Sequence, residues 1–346
     1  MRCDVAVVGA GVMGSSTAYA LARKGLDVVV LEQFAVGHNR GSSHGAARIF
    51  RLSYPDATYV EMAQESLSLW RDLERDSEAD LLARTGGLDT GKNLDEHAAA
   101  LSACGAAFEL IDGAETRARW PFMAVPPAAP VLFQPDAGVV SAEAAWRALS
   151  RGARAAGARM HDGARVARLE PEDREVFIRT STEEIRARAV VVTAGAWARA
   201  LLATAGIELD TRPTRETVAY FRLNDLVPPT LVDWGAPSVY ALPSPGGEIK
   251  AGEHRAGPTI DPDVPGEVDP EAVARVRAWV LERLPGADPV PRGAETCLYT
   301  NTPDERFVLE RHGRIVVGSP CSGHGFKFAP LIGRRLAGLA GEALEA

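Results

Sequence analysis

Gly9, Gly11 and Gly14 follow directly on the apolar, β-branched run Val5–Val8, and an acid, Glu32, stands 23 residues beyond Gly9. Each glycine has its own physical use. Gly9 permits a tight turn off a strand, Gly11 lets backbone N–H groups approach a pyrophosphate with no Cβ in the way, and Gly14 lets the next helix lie close to the sheet. Glu32 is placed to accept hydrogen bonds from a ribose 2′-hydroxyl, and its charge disfavours a 2′-phosphate and so NADP. The fingerprint does not separate NAD from FAD.

A second group stands out by rarity. Of 38 basic residues only four are lysine, Lys24, Lys92, Lys250 and Lys327, leaving 34 arginines. A lysine that persists in so arginine-rich a chain points to a site wanting a compact charge whose pKa responds to burial. That inference is weak for Lys24, on a helix end, and for Lys92, in a polar loop. It attaches to Lys250 and Lys327. His44, Arg48 and Arg51 follow one another at intervals of four and three, so one helical turn would set them on a common face. They read either as a solvated basic loop or as a cofactor cover and carboxylate clamp. Cys3, Cys104, Cys297 and Cys321 show no CxxC spacing, so neither a metal site nor structural disulfides are expected.

These residues need elements to hold them. Val5–Val8 is read as a buried parallel strand and Met13–Lys24 as a helix aiming its N–H groups at phosphates, stopped by Gly25. Asp27–Leu31 is a second strand. Thr58–Arg75 has helical periodicity. From Leu88 to Pro135 the pattern breaks into short pieces, a first excursion from the nucleotide-binding part. Ser141 is a suitable N-cap for a helix running to Ala156. Strands are expected at Ala164–Leu169, Val176–Arg179 and Glu184–Arg188, then a buried strand and glycine turn over Ala189–Trp197. Val218–Leu223, Ser238–Pro243 and Glu248–Glu253 read as an antiparallel sheet. A loop spans Ile260–Pro270, a helix Glu271–Leu284, and a strand, glycine-rich loop and helix close the chain. No internal repeat is visible.

The 346 residues suffice for two domains, and a net charge of -8 with a pI near 5.5 argues against nucleic acid or an anionic membrane as partner. No apolar run approaches a membrane span, and the first strand begins at once, leaving no room for a signal peptide. The expected location is the cytoplasm.

Taken together, VVGAGVMGSSTAYALARKG, GSSHGAARIFR, TAGAW, ALPS, IKAGEH, ETCLYTNTPDERF and CSGHGFKF resemble the monomeric sarcosine oxidase and N-methyltryptophan oxidase family of FAD-dependent amine oxidases over nearly the whole chain. SGHGFKF and CLYT are far more specific than the nucleotide fingerprint. The resemblance implies an α/β fold in which a Rossmann-like FAD-binding domain (residues 1–84, 138–208 and 300–346) is interleaved with an α+β substrate domain built on an antiparallel sheet (residues 85–137 and 209–299).

The resemblance also implies roles. Cys297 would carry FAD covalently, with Cys321 as its rival and a buried structural thiol as the bland reading. Lys250 would activate oxygen, Arg51 and Lys327 would hold the substrate carboxylate, His254 would sit near the amine, and Tyr240 and Tyr299 would line the pocket. His44 and Arg48 would lie by the flavin ring. Met13, Gln33, Ser43, Val166, Ala194, Gly195, Trp197 and Phe326 would border the cofactor, with Gly323 and Gly325 offering backbone N–H groups to the flavin pyrimidine oxygen. His324 reads mainly as a loop-holding residue.

The implied reaction is oxidation of a secondary amino acid to an imine that hydrolyses, with oxygen reduced to hydrogen peroxide by a monomeric enzyme. The early stop at Ala346 and the short substrate-domain loops leave N-methyl amino acids, pipecolate-like cyclic amines and a dedicated biosynthetic imino acid open. An NAD-dependent dehydrogenase and a flavin subunit passing electrons to a protein partner are the alternatives.

Overall fold

In a computed structural model the described residues are 1–345 apart from 182 and 225; Ala346, the end of the last expected domain segment, lies outside them. A mixed sheet forms the nucleotide side. Arg2–Val8 lies between the parallel strands Val28–Leu31 and Glu184–Val192; Arg159–His161 extends one side and Ile315–Ser319 pairs parallel with Glu184–Val192. Val166–Pro171, Val176–Thr180 and Val308–His312 add antiparallel pairs. Val28–Leu31 is buried throughout, as a parallel strand covered on both faces should be.

The helix Val12–Ala22 packs on this sheet and against the closing helix Ala329–Glu345. Their approach depends on Gly333, where a Cβ would collide with Ser16. The first helix is shorter than its periodicity suggests. Lys24 lies in the turn after it, and Gly25 follows at φ +78°.

Three local expectations are corrected. Glu184–Arg188 and Ala189–Trp197 are not separate strands: one strand runs Glu184–Val192, and Gly195–Trp197 is a short 3-10 turn. The composition changes because the first half pairs with the edge hairpin and exposes alternate residues, whereas the last four are wholly buried. Ser141 does precede the helix Ala142–Ala155 but makes no side-chain cap bond.

The third correction concerns His44, Arg48 and Arg51, which share no helical turn. Ala47–Phe50 is a strand paired with Gly138–Ser141, and a spacing of three in extended chain sends Arg48 and Arg51 to opposite sides.

The second sheet runs in the order Gly293–Asn301, Arg212–Arg222, Glu248–Glu253, Val239–Ser244, Thr230–Trp234, Gly87–Gly91, Pro130–Gln134, Glu109–Asp112. The excursion from Leu88 onward therefore supplies three of its strands. Its two faces divide by the period-two rule. Ala219, Phe221, Leu231, Ala241, Ile249 and Ala251 point to one side and pack with Val276, Val280 and Leu284 of the helix Pro270–Arg283 and its end. The alternate residues, among them Tyr220, Tyr240 and Lys250, take the other side. No helix among the described residues is long and apolar enough to cross a membrane.

Candidate functional site

The free face of the second sheet and the glycine turn of the first enclose a cavity of about 1230 Å³, larger than the roughly 300–1,000 Å³ of a single small-ligand pocket. Every site residue expected from sequence lines it except Gly14. Gly14 acts from behind, since a Cβ there would collide with the Gly9 carbonyl oxygen and come within 2.7 Å of Thr193 Oγ1. Gly9 has φ +98°, and a Cβ on it would meet the Thr193 carbonyl oxygen at 2.7 Å.

Glu32 fastens this turn. One carboxylate oxygen accepts from the Ala10 N–H at 2.8 Å and the other from the Phe34 N–H at 3.0 Å, with His38 Nε2 at 3.3 Å. Burial works against its charge, but His38 and the two N–H donors outweigh it and hold the carboxyl below its usual range. The acid expected only to meet a ribose thus also shapes the loop. Ser43 Oγ accepts from the Val12 N–H at 3.0 Å, pinning the loop after Glu32 to the helix start. Met13, Gln33, Val166, Ala194, Gly195 and Trp197 border the same end. Across it, Asp263 accepts from Trp197 Nε1 at 2.8 Å and pairs with Arg165 at 2.7 Å.

At the middle of the cavity three strands of the second sheet converge. Glu295, Cys297 and Tyr299 occur at alternate positions of Gly293–Asn301 and all line the space. Lys250 stands opposite Tyr220. Its ammonium is 3.3 Å from Glu295 Oε1, which also accepts from the Tyr220 hydroxyl at 2.5 Å. Burial, then Arg48, pushes the lysine down to about 8, opposed by Cys297 and Glu295.

Arg48 donates to the carbonyls of Ser42 at 2.9 Å and His44 at 2.6 Å and lies over the Phe326 ring. His44 Nε2 is buried with no hydrogen-bond partner among the described residues. Burial first, then Arg48 and Lys250, keeps its imidazole neutral down to about pH 4. Burial raises the Cys297 thiol against the pull of Arg48 and Lys250, so the lowered thiol pKa expected for covalent chemistry is not present in the protein alone. Cys321 Sγ accepts from the Thr300 N–H at 3.3 Å, and all four cysteines are free.

Arg51 and Lys327 meet at the far end around Tyr54. The guanidinium carbon is 4.1 Å from the Tyr54 ring centroid and 5.0 Å from that of Trp234, while Lys327 Nζ donates to the Tyr54 hydroxyl at 2.9 Å and the His324 carbonyl at 2.6 Å. Both cations are buried. Among the described residues no carboxylate forms an ion pair with either. Burial, then Arg51, drives Lys327 well below the ordinary lysine range, so a positive charge on it is disfavoured in the protein alone. Tyr240, Tyr299 and His254 flank the space between the two ends, with the His254 ring 5.8 Å from Tyr299.

Gly323, at φ +79°, faces Tyr299, and Gly325 has no room for a Cβ against the Pro320 carbonyl. His324 between them engages Tyr54 through Nδ1 at 3.3 Å and the Glu305 carbonyl through Nε2 at 3.0 Å, and it stacks on Phe307. It holds the loop.

A family described as FAD dependent oxidoreductase matches residues 4–339. The chain belongs to this FAD-dependent oxidoreductase family. Within the family it is 34% identical to the human peroxisomal sarcosine oxidase, over 96% of this chain and 90% of the relative. It is 33% identical to the monomeric sarcosine oxidase of Bacillus sp. (strain B-0618), over 97% and 92%. The structure of NikD, an unusual amino acid oxidase essential for nikkomycin biosynthesis, superposes with a TM-score of 0.89 at 28% identity, covering 98% of this chain and 94% of that one. In this FAD-dependent enzyme the glycine turn and the residues of the second sheet named above border one cavity. The residues fit the group: Gly9 and Gly14 let the turn close tightly on Thr193 and the helix start, and His44, whose Nε2 is orphaned, is among the residues that line the cavity.

Several residues escaped the sequence reading. Glu295 had a signal, its two-residue offset from Cys297 in a strand. Tyr54 and Trp234 had none, because they act by shaping the surroundings of Arg51.

Proposed function

We propose that this enzyme oxidises a secondary amino acid, N-methylated or cyclic, at its C–N bond and delivers the electrons to oxygen. The observation that carries this reading is the pair Arg51 and Lys327: two buried basic side chains with no acid ion-paired to either among the described residues, in the same cavity as the glycine turn. A substrate carboxylate would be gripped by the planar guanidinium and the ammonium. FAD, when bound, supplies the acceptor for two electrons and a proton equivalent from the amine carbon.

The rest falls to the protein. The Arg51 guanidinium brings positive charge to this end of the cavity, which favours the unprotonated amine that can release electrons. His254, Tyr240 and Tyr299 confine the amine between the clamp and the reacting face. Lys250 presents a fixed charge where oxygen gains electrons and becomes anionic. Cys297 is the proposed point of covalent attachment: the thiol would give up its proton and a cofactor carbon one C–H proton as the C–S bond forms, and the two electrons released would reduce the cofactor itself and pass on to oxygen; Arg48 and Lys250 favour the thiolate once bound cofactor joins them. The two-domain division stated above and action as a single chain belong to this proposal, the latter because the Bacillus relative is named a monomeric enzyme.

The purified yellow protein should consume oxygen and form peroxide with a panel of secondary amino acids, and should respond far less to the same amines lacking a carboxylate. Oxidation without peroxide, coupled only to an added electron acceptor, would instead favour a dehydrogenase serving a protein partner.

A further inference from the structure

We propose that Glu295 is a positioning residue for the oxygen half of the reaction: its carboxylate gathers Lys250, Tyr220 and His44 into one cluster and keeps the Lys250 ammonium charged. The inference rests on the reading of Lys250 as the cation that faces oxygen. Three neighbouring strands each contribute one member, Glu295 from Gly293–Asn301, Tyr220 from Arg212–Arg222 and Lys250 from Glu248–Glu253. Glu295 Oε1 accepts from Tyr220 at 2.5 Å and from Lys250 at 3.3 Å, and Oε2 lies 3.9 Å from His44 Nδ1. The loop of the other sheet abuts this cluster at Gly45, where a Cβ would sit 3.0 Å from Glu295 Oε1, 3.3 Å from Lys250 Nζ and 3.4 Å from Arg48 Nη1.

The surroundings explain why the lysine needs an acid. Lys250 is 3% exposed, and Arg48 beside it is a like charge. His44 stays neutral, and Tyr220 and Tyr240 stay protonated because burial raises their hydroxyls. Cys297 is the other group that favours the charged lysine, but a cysteine joined to a cofactor is a neutral thioether. Glu295 is then the remaining anion of the cluster. Burial opposes its own charge, and the Tyr220 hydroxyl and the Lys250 ammonium lead the groups that outweigh it. Without it, a lysine already lowered to about 8 loses its counter-charge and sheds its proton near neutrality.

The chain has only four lysines, so the titration can be read directly. In protein labelled with ¹³C at the lysine ε-carbons, the Lys250 resonance, assigned by its absence in Lys250→Met, should titrate about one pH unit or more lower in Glu295→Gln than in the parent. The pH profile of flavin reoxidation should move down with it, while anaerobic reduction by substrate stays within about twofold. Glu295→Asp keeps the charge and should recover most of the midpoint. An unmoved Lys250 midpoint in Glu295→Gln, or equal behaviour of the Asp and Gln variants, overturns the proposal. The reading of Lys250 fails separately, if Lys250→Met reoxidises at the parental rate.

Discussion

Removing the Arg51 guanidinium should damage recognition of amino acids and leave recognition of simple amines nearly intact. Arg51 is 9% exposed and rests between the rings of Tyr54 and Trp234, so its contacts with a carboxylate are little screened by water. A hydrogen bond to a charged group contributes about 1.5–3 kcal/mol, and 1.4 kcal/mol is tenfold in binding. Arg51→Gln should therefore weaken binding of a secondary amino acid by about 10- to 150-fold. Arg51→Lys, which keeps the charge but not the fork, should fall between. The assay is anaerobic flavin reduction at a series of concentrations, giving apparent Kd and limiting rate for an N-methyl amino acid and for the matching N-methyl amine. The difference between the two substrates isolates the carboxylate. Equal losses for both would refute the clamp and reduce Arg51 to a packing residue of the cavity wall.

Other outcomes follow from the same geometry. A unit charge acting at roughly 4 Å through an effective dielectric near 20 is worth about 4 kcal/mol, so Lys250→Met should slow reoxidation by up to about a thousandfold while substrate reduction of the flavin changes little; stopped-flow measurement of the two half-reactions checks this. Cys297→Ala should release its flavin into the supernatant on acid precipitation, whereas Cys321→Ala should keep the colour in the pellet. Acid stability has a definite sign. His97 is buried and His44 and His324 largely so, and all three are neutral, with pKa values lowered from 6.5 to about 4 for His44 and His97 and about 3 for His324, chiefly by burial. As pH falls below 6.5 the unfolded chain binds protons that the native chain refuses, so stability drops toward pH 4, at up to about 4 kcal/mol per pH unit for three protons. Urea titrations across that range test it, and His97→Gln, which lies outside the cavity lining, should remove about one proton from the slope.

How far the chain could be read before folding differed by region, for physical reasons. The glycine turn and its flanking strands were legible because their requirements are local: a missing Cβ, a β-branched run, a helix start. The second sheet, antiparallel as expected except where Thr230–Trp234 pairs parallel with Gly87–Gly91, was legible in its strands through period-two patterning, as in Glu248–Glu253, where Ile249 and Ala251 face the helix and Lys250 the cavity. Its edge was not, since Gly87–Gly91 and Pro130–Gln134 lie in a Gly- and Pro-broken stretch whose strands exist only by pairing with distant partners. The loop carrying His44, Arg48 and Arg51 shows the limit most clearly. Its spacing fits a helical turn, but Gly138–Ser141, nearly a hundred positions on, draws it into a strand. The three residues still reach one cavity, from different sides. Asp89, Gln134 and Trp234 were invisible as a group. Gln134 donates to Asp89 at 2.5 Å and accepts from the Leu52 and Ser53 N–H groups, and Trp234 donates to Asp89 at 2.9 Å, so they brace the chain just after Arg51.

The most direct test of the account mixes the holoenzyme with a secondary amino acid under anaerobic conditions, follows the oxidised-flavin absorbance, then admits oxygen and measures peroxide. The account predicts bleaching by the amino acid, full return of the absorbance with oxygen, and one peroxide for each flavin reoxidised. Flavin that no secondary amino acid bleaches, or that bleaches but recovers only with an added electron carrier, would contradict it.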